Sequence, residues 1–191
     1  MQWSVKLIPP DEEGVAFYLE HYRPFRLKAL ELDPSAFGST WARESAFTED
    51  AWRARVLNPA ARPFVAVQEG SNTVLSSVTL IGPSAVPLEI PGVLPDSAEC
   101  WAVNGVWTLP GARRRGIGRE TAQAAMRYAA GQAAAKGKDC LLTTVVYADN
   151  TGAGVYYEKL GFVAYREGLD GGRPTCELAL LIPREGERVA F

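Results

Sequence analysis

A single mixed α/β sheet domain is what this sequence predicts, and three observations carry the prediction. Two β-rich runs, residues 98–109 and 140–147, flank an alanine-rich helical run at 117–136. Strand, long helix and strand in that order make a parallel pair with a right-handed crossover. Two more pairs of runs, 63–68 with 73–82 and 162–166 with 176–182, are each joined through glycine-containing turns and read as antiparallel hairpins. The length of 191 residues, 47% apolar and 22% charged, suits one domain with its own core, spanning 1–191.

The elements follow in order. Trp3, Val5 and Leu7 alternate with polar neighbours over residues 2–8, a strand pattern ended by Pro9-Pro10. Asp11 is a candidate N-cap for a helix over 12–32 whose apolar face holds Val15, Tyr18, Leu19 and Tyr22, and Pro24 splits it into two pieces. Residues 33–43 read as loop. Thr48 caps a helix running to about Leu57, with Glu49 and Asp50 in its first turn. The hairpin at 63–82 turns on Glu69-Gly70-Ser71-Asn72. Residues 83–97 carry four of the 13 prolines and no period, a long loop. Gly105 interrupts the strand at 98–109 and marks a candidate bulge. Gly137 stands where the long helix should end. Residues 151–160 form a short helix closed by Gly161, and Leu169-Asp170-Gly171-Gly172-Arg173 joins the last two strands. The tail, Pro183–Phe191, is charged and loose up to Val189-Ala190-Phe191, a candidate docking end.

Composition excludes several functions. Twenty Lys and Arg against 22 Asp and Glu give a net charge of −2, so no global positive field draws the chain to nucleic acid or anionic membrane. Cys100, Cys140 and Cys176 fit neither a metal motif nor a disulfide framework and read as buried free thiols. With His21 the only histidine, a Ser-His-Asp triad or multi-His metal site is unexpected, and no metal is called for. No apolar run approaches the roughly 20 residues that span a bilayer, and the start lacks a leader's apolar stretch. The expected location is cytoplasmic.

Chemistry concentrates in one turn. Val-Trp-Thr-Leu-Pro-Gly-Ala-Arg-Arg-Arg-Gly-Ile-Gly-Arg, residues 106–119, lies between a strand and a helix. Gly116 and Gly118 let backbone approach a ligand, and amides opening a helix bind anions, commonly phosphate. Arg113, Arg114, Arg115 and Arg119 add positive charge there. A solvated arginine-rich turn is the plainer alternative. A Walker loop would need Gly-Lys-Ser or Gly-Lys-Thr, and the dinucleotide fingerprint a third glycine at position 121, which is Thr.

Arg113-Arg114-Arg115-Gly116-Ile117-Gly118 resembles the Arg/Gln-x-x-Gly-x-Gly/Ala signature of the GNAT superfamily of acyl-CoA-dependent N-acetyltransferases. Residues 150–162, Asn-Thr-Gly-Ala-Gly-Val-Tyr-Tyr-Glu-Lys-Leu-Gly-Phe, are similar to its second signature, Asn-x-x-Ala-x-x-x-Tyr-x-Lys-x-Gly-Phe. The resemblance covers about 62–182, and Phe25-Arg26-Leu27 through Ser39-Thr40 are similar to an opening found in many members. It implies the GNAT fold: a mixed, mostly antiparallel sheet of about seven strands, its fourth and fifth forming a splayed parallel pair, flanked by about four helices.

The resemblance also implies roles. The backbone around Val106, Trp107 and Thr108 would pair with the pantetheine arm of acetyl-CoA like an added strand. The amides of residues 114–119, Gly116, Ile117 and Gly118 among them, would hold the pyrophosphate. Arg113 and Arg114 are the leading side chains to help, with Arg115 and Arg119 reaching outer phosphates or only solvent. Asn150 would hydrogen-bond the pantetheine, and is equally placed to cap the helix that follows. Tyr157 matches the family's acid tyrosine, a phenol with an ordinary pKa near 10 that would protonate the departing thiolate; a buried packing aromatic is its plainer reading. Tyr156 is expected to point elsewhere.

The base is left open. Some members carry a glutamate eleven residues before the motif arginine, a position that is Ala102 here. Asn104, two residues on, could orient a water relay but cannot take a proton; Glu99, Glu44 and His21 are fallback candidates. Phe25, Phe37, Trp41 and Trp107 could line the acceptor pocket or simply pack the core. The expected reaction is acetyl transfer from acetyl-CoA to a primary amine, of a small molecule or a peptide, by direct attack in a ternary complex. A non-catalytic CoA-binding module and a transferase for another acyl-CoA stand as alternatives, and a homodimer is left open.

Overall fold

A computed structural model describes residues 2–87, 90, 92–94 and 96–184. The docking end expected at Val189-Ala190-Phe191 lies outside the described residues. Seven strands form one sheet in the order β1-β2-β3-β4-β5-β7-β6. They are β1 (Trp3–Leu7), β2 (Ala61–Gln68), β3 (Val74–Ser84), β4 (Ala98–Thr108), β5 (Asp139–Tyr147), β6 (Val163–Asp170) and β7 (Arg173–Ile182). The helices are α1 (Glu12–Phe17), α2 (Arg23–Leu32), α3 (Trp41–Ser45), α4 (Glu49–Val56), α5 (Ile117–Ala134) and α6 (Thr151–Lys159). β4 and β5 are the parallel pair, in register from Ala98 with Asp139 to Ala102 with Thr143; β2–β3, β5–β7 and β6–β7 run antiparallel. This is the GNAT arrangement that the motifs imply.

Local signals explain most boundaries. Asp11 accepts from the Gly14 amide at 2.8 Å and Thr48 from the Ala51 amide at 3.2 Å, satisfying helix donors that would otherwise be orphaned. The helix over 12–32 does come in two α-helical pieces, with Pro24 in the first turn of the second. Tyr18–Tyr22 form a π turn between α1 and α2, in which the Arg23 amide donates to the Tyr18 carbonyl five residues back. The chain absorbs a missing proline N–H by widening one turn. Residues 33–43, read as loop, hold a 3₁₀ turn at Pro34–Ala36 and the beginning of α3, started by Thr40, whose Oγ1 accepts from the Arg43 amide at 3.2 Å. After α5 the amides of Gly137 and Lys138 return to the carbonyls of Ala134 and Ala133, a glycine-terminated stop.

Two compact units are distinguished. One holds Met1–Ile81 and Asn104–Ala125, the other Gly82–Val103 and Met126–Phe191. In the first, Val15, Tyr18, Tyr22, Phe25, Trp52 and Trp107 pack in one cluster. Burying each such side chain is worth about 1.5–3 kcal/mol. Inside the same unit Glu44, 2% exposed, is held by Arg26 at 3.0 and 2.7 Å and by Arg55 at 2.8 Å. In the second, Val86, Ile90, Ala98, Cys100 and Leu141 form a core. Part of the prolyl loop therefore packs rather than floats.

Candidate active site

The first unit carries the turn. β4 and β3 run antiparallel, and the Leu109 amide donates to the Leu75 carbonyl at 2.8 Å. Successive residues of a strand direct their backbone groups to opposite sides, so Trp107 faces β3 while Val106 and Thr108 face away. Two buried serines of β3 reinforce the β3-facing side. Ser76 Oγ donates to the Trp107 carbonyl at 3.0 Å and lies 3.0 Å from Thr108 Oγ1, and Ser77 Oγ donates to the Gly105 carbonyl at 2.7 Å. Between them Gly105 takes φ +61°, the left-handed backbone that favours glycine. Asn104, just before it, is exposed.

Beyond Thr108 a short 3₁₀ turn, Pro110–Ala112, leads into the arginines. Arg114 and Gly116 have φ of +63° and +84°. A Cβ on Gly116 would meet nothing within 4 Å, so that glycine serves the bend and leaves open space beside it. Gly118 serves crowding: a Cβ there would lie 2.7 Å from Thr108 Oγ1. Ile117 is buried and anchors the first turn of α5, while Arg113, Arg114, Arg115 and Arg119 are exposed. Open space over a left-handed glycine, exposed arginines and a helix start together fit a pyrophosphate.

Arg113 differs from its neighbours. Its Nε donates to the Thr108 carbonyl at 2.9 Å, and its Nη2 pairs with Asp33 Oδ2. The same Asp33 oxygen accepts from Trp107 Nε1 at 2.6 Å. Burial works to raise the Asp33 carboxyl, but the hydrogen bonds from Trp107 and Arg113 outweigh it and lower it. Sequence reasoning missed Asp33. Its signal was there: a carboxylate capping the C-terminus of α2 faces the negative end of the helix dipole and calls for a cation.

The second unit carries the tyrosine. Tyr157 of α6 is 5% exposed, and burial pushes its phenol up to about 12, partly offset by a hydrogen bond with Thr144. Thr144 Oγ1 in turn donates to the Val103 carbonyl at 3.0 Å. Contrary to the sequence reading, Tyr156 does not point away. Its ring meets that of Tyr157 edge-on, centroids 5.3 Å apart, and Phe162 also meets the Tyr157 ring edge-on at 5.3 Å. Asn150 caps α6, its Oδ1 accepting from the Ala153 amide at 3.1 Å. The cap uses only the oxygen, so the side-chain NH₂ lies outside it.

The fallback bases fare unequally. Burial works to raise the Glu44 carboxyl, but Arg26 and Arg55 outweigh it and hold it at about 2. No proton is gained there near neutrality, which removes Glu44. Glu99, 8% exposed, pairs with Lys136 at 2.6 Å. His21 lies against Phe17 and 3.8 Å from Glu20. Cys100 and Cys140 are buried, with the Cys140 thiol pushed up to about 12 by burial, and Cys176 is half-buried. Among the described residues no group of three or more His, Cys, Asp or Glu could hold a metal ion, and no helix is long and apolar enough to cross a membrane.

Solved structures share this fold at low identity. The ribosomal-protein-S5-alanine acetyltransferase of Vibrio fischeri matches with TM-score 0.68 and 14% identity over 98% of this chain and 97% of that one. Arabidopsis thaliana NAA60 in complex with acetyl-CoA matches with TM-score 0.65 and 14% identity over 95% and 99%. Mutant forms of the spermidine/spermine N-acetyltransferase SpeG of Vibrio cholerae match with TM-score 0.55 and 14% identity over 94% and 95%. No curated protein matches. The Acetyltransferase (GNAT) family matches residues 26–162, well over half of the chain. Sheet order, the glycine-arginine turn and the family match agree, and the chain belongs to the GNAT acetyltransferase family.

Proposed function

We propose that this protein transfers an acetyl group from acetyl-CoA to a primary amine by direct attack. The observation that carries the reading is the turn from Arg113 to Gly118. It opens α5 directly after β4, with Gly116 at φ +84° over open space and exposed arginines around it. Its amides and charges suit a pyrophosphate. The backbone of Val106, directed away from β3, supplies strand-like hydrogen bonds to the pantetheine, which leaves the Thr108 amide for the reacting carbonyl. The side-chain NH₂ of Asn150 is the further donor assigned to that arm.

The bond changes set the remaining roles. The amine nitrogen, as the free base, forms a bond to the thioester carbonyl carbon. The C–S bond then breaks, its electron pair leaving on sulfur, and the nitrogen loses a proton to solvent. Developing charge on the carbonyl oxygen is met by a backbone N–H at Thr108. The sulfur takes a proton from Tyr157, which burial keeps in its neutral, donating form at neutral pH, and the phenolate left behind regains a proton from solvent to close the cycle. Asn104, exposed on β4, is assigned to orienting a water that carries the amine proton away.

The test is thiol release from acetyl-CoA across arylalkylamines, arylamines, amino sugars, polyamines, amino acids and peptides with free N-termini or lysines. Amine-dependent release is the expected result, and the responding class defines the acceptor. Binding of acetyl-CoA by calorimetry with no release across the panel would instead identify a CoA-binding module or a different acyl donor. No binding at all would overturn the reading.

A further inference from the structure

We infer that Arg113, although it stands at the motif's arginine position, is a positioning residue: a strut between Asp33 and the end of β4 that acts on acyl-CoA recognition through Thr108 and Trp107 and touches no phosphate. The inference rests on the acetyltransferase reading and assigns Asp33 a part in it. Two directions of the guanidinium fork are already taken by the protein, Nε by the Thr108 carbonyl at 2.9 Å and Nη2 by Asp33. Its carbon sits 5.8 Å from the centre of the Trp107 ring. A planar fork held at two points is fixed in orientation. A guanidinium already paired with a carboxylate also offers a phosphate little net charge. Arg114, Arg115 and Arg119 are exposed and pair with no carboxylate among the described residues. They are the cations left for a diphosphate.

The strut has a purpose that the backbone makes plain. Thr108 directs its backbone groups away from β3, so its carbonyl has no partner in that ladder; Arg113 supplies one and leaves the Thr108 amide presented to a ligand. Trp107, the next residue back, would have a half-buried indole N–H without an acceptor if Asp33 were absent, a costly vacancy. Asp33 ends α2, Trp107 packs edge-on against Phe25 of α2 at 5.0 Å, and Arg113 begins the turn. One carboxylate oxygen therefore ties the end of α2 to the strand and turn proposed to take the acyl donor.

The experiment separates a strut from a phosphate ligand. Native protein, R113Q, R113K, D33N and D33N/R113Q are assayed with acetyl-CoA and with S-acetylpantetheine, which carries the same reacting group and no phosphate. A strut predicts that R113Q lowers kcat/KM about tenfold with both donors. It also predicts that R113K fails to rescue, since lysine lacks the fork, and that D33N/R113Q is no worse than R113Q. A loss confined to acetyl-CoA, rescued by R113K and adding to that of D33N, would overturn the inference and make Arg113 a phosphate contact. If R113Q does not fold, R113K and D33N carry the same comparison. Calorimetry keeps the two readings apart. Native protein that binds no acetyl-CoA overturns the acetyltransferase reading, whereas native binding with a loss confined to the phosphate-bearing donor overturns only the strut.

Discussion

The turn after β4 and the tyrosine of α6 solve opposite physical problems. The turn is exposed, cationic and shaped by backbone: left-handed residues at Arg114 and Gly116, and a glycine at 118 because Thr108 Oγ1 occupies the space. Tyr157 is 5% exposed, uncharged, and boxed by Tyr156, Phe162 and Thr144. On the proposed reading, one region offers many weak, redundant contacts to an anion and the other a single proton in a dry place. Damage to the first should therefore appear as lost affinity, and damage to the second as lost turnover.

The largest effect should come from the second. Tyr157→Phe removes the proton and keeps the ring, so kcat should fall by about 10²–10⁴ while the Kd for acetyl-CoA from calorimetry stays unchanged. A variant that lost affinity and kept kcat would erase the contrast. Because burial holds the phenol at about 12, the native pH–rate profile should show no alkaline fall from this group up to about pH 10. Tyr156→Leu is a useful companion, since it removes a ring that touches Tyr157 but no assigned proton donor, and a moderate fall in kcat there measures the packing alone.

Charge burial gives the next effect. The turn's arginines face solvent, whereas Arg26 and Arg55 enclose Glu44, which is 2% exposed. The carboxyl sits at about 2 in the fold against an ordinary 4.5. A lowered carboxyl contributes stability that is fully present above the ordinary value and lost as pH falls through the lowered one. That window runs from about 4.5 to about 2 and is worth about 3 kcal/mol. Denaturant melts of native protein and Glu44→Gln should differ by about that amount at pH 7 and converge near pH 2. A constant difference would mean that packing, not charge, sets the cost.

The two signature glycines allow a finer cut. Gly118→Ala forces a Cβ to 2.7 Å from Thr108 Oγ1, overpacking that costs about 1–3 kcal/mol. Acetyl-CoA affinity should fall, and Thr108→Ala, which removes the obstructing atom, should restore part of it. Gly116 has space and lacks only conformational freedom, so Gly116→Asn, tolerant of positive φ, should be milder than Gly116→Ala. The opposite ranking would show that Gly116 makes way for the ligand itself.

What could be read from sequence was whatever is local. The Thr48 cap, the hairpin turns, the run Cys140–Tyr147 and the stop at Gly137 each declare themselves within a few residues, and each stands where expected. The turn at 113–118 and the cap role of Asn150 were legible for the same reason. α3, five residues long, is too short to show a period. Pairings between distant segments left no trace in any window: Asp33 with Arg113, Ser76 with Trp107, Thr144 with Val103. Asp33 came nearest to visibility, as an acid at the wrong end of a helix.

The smallest predicted effect tests the first region most directly. Arg114, Arg115 and Arg119 are solvent-exposed, so each contributes little: neutralising one to Gln should weaken acetyl-CoA binding about two- to fivefold. The loss should depend on salt. At 0.15 M the screening length is about 8 Å and at 1 M about 3 Å, so native and variant affinities should converge as ionic strength rises. S-acetylpantetheine, without phosphates, should not respond to these substitutions at any salt. Arg113, already committed to Asp33 and the Thr108 carbonyl, should break the pattern in both respects, its loss persisting at high salt and with the phosphate-free donor. A titration series in which all four arginines behave alike would return Arg113 to the phosphate-binding set and leave the turn a uniform cationic surface.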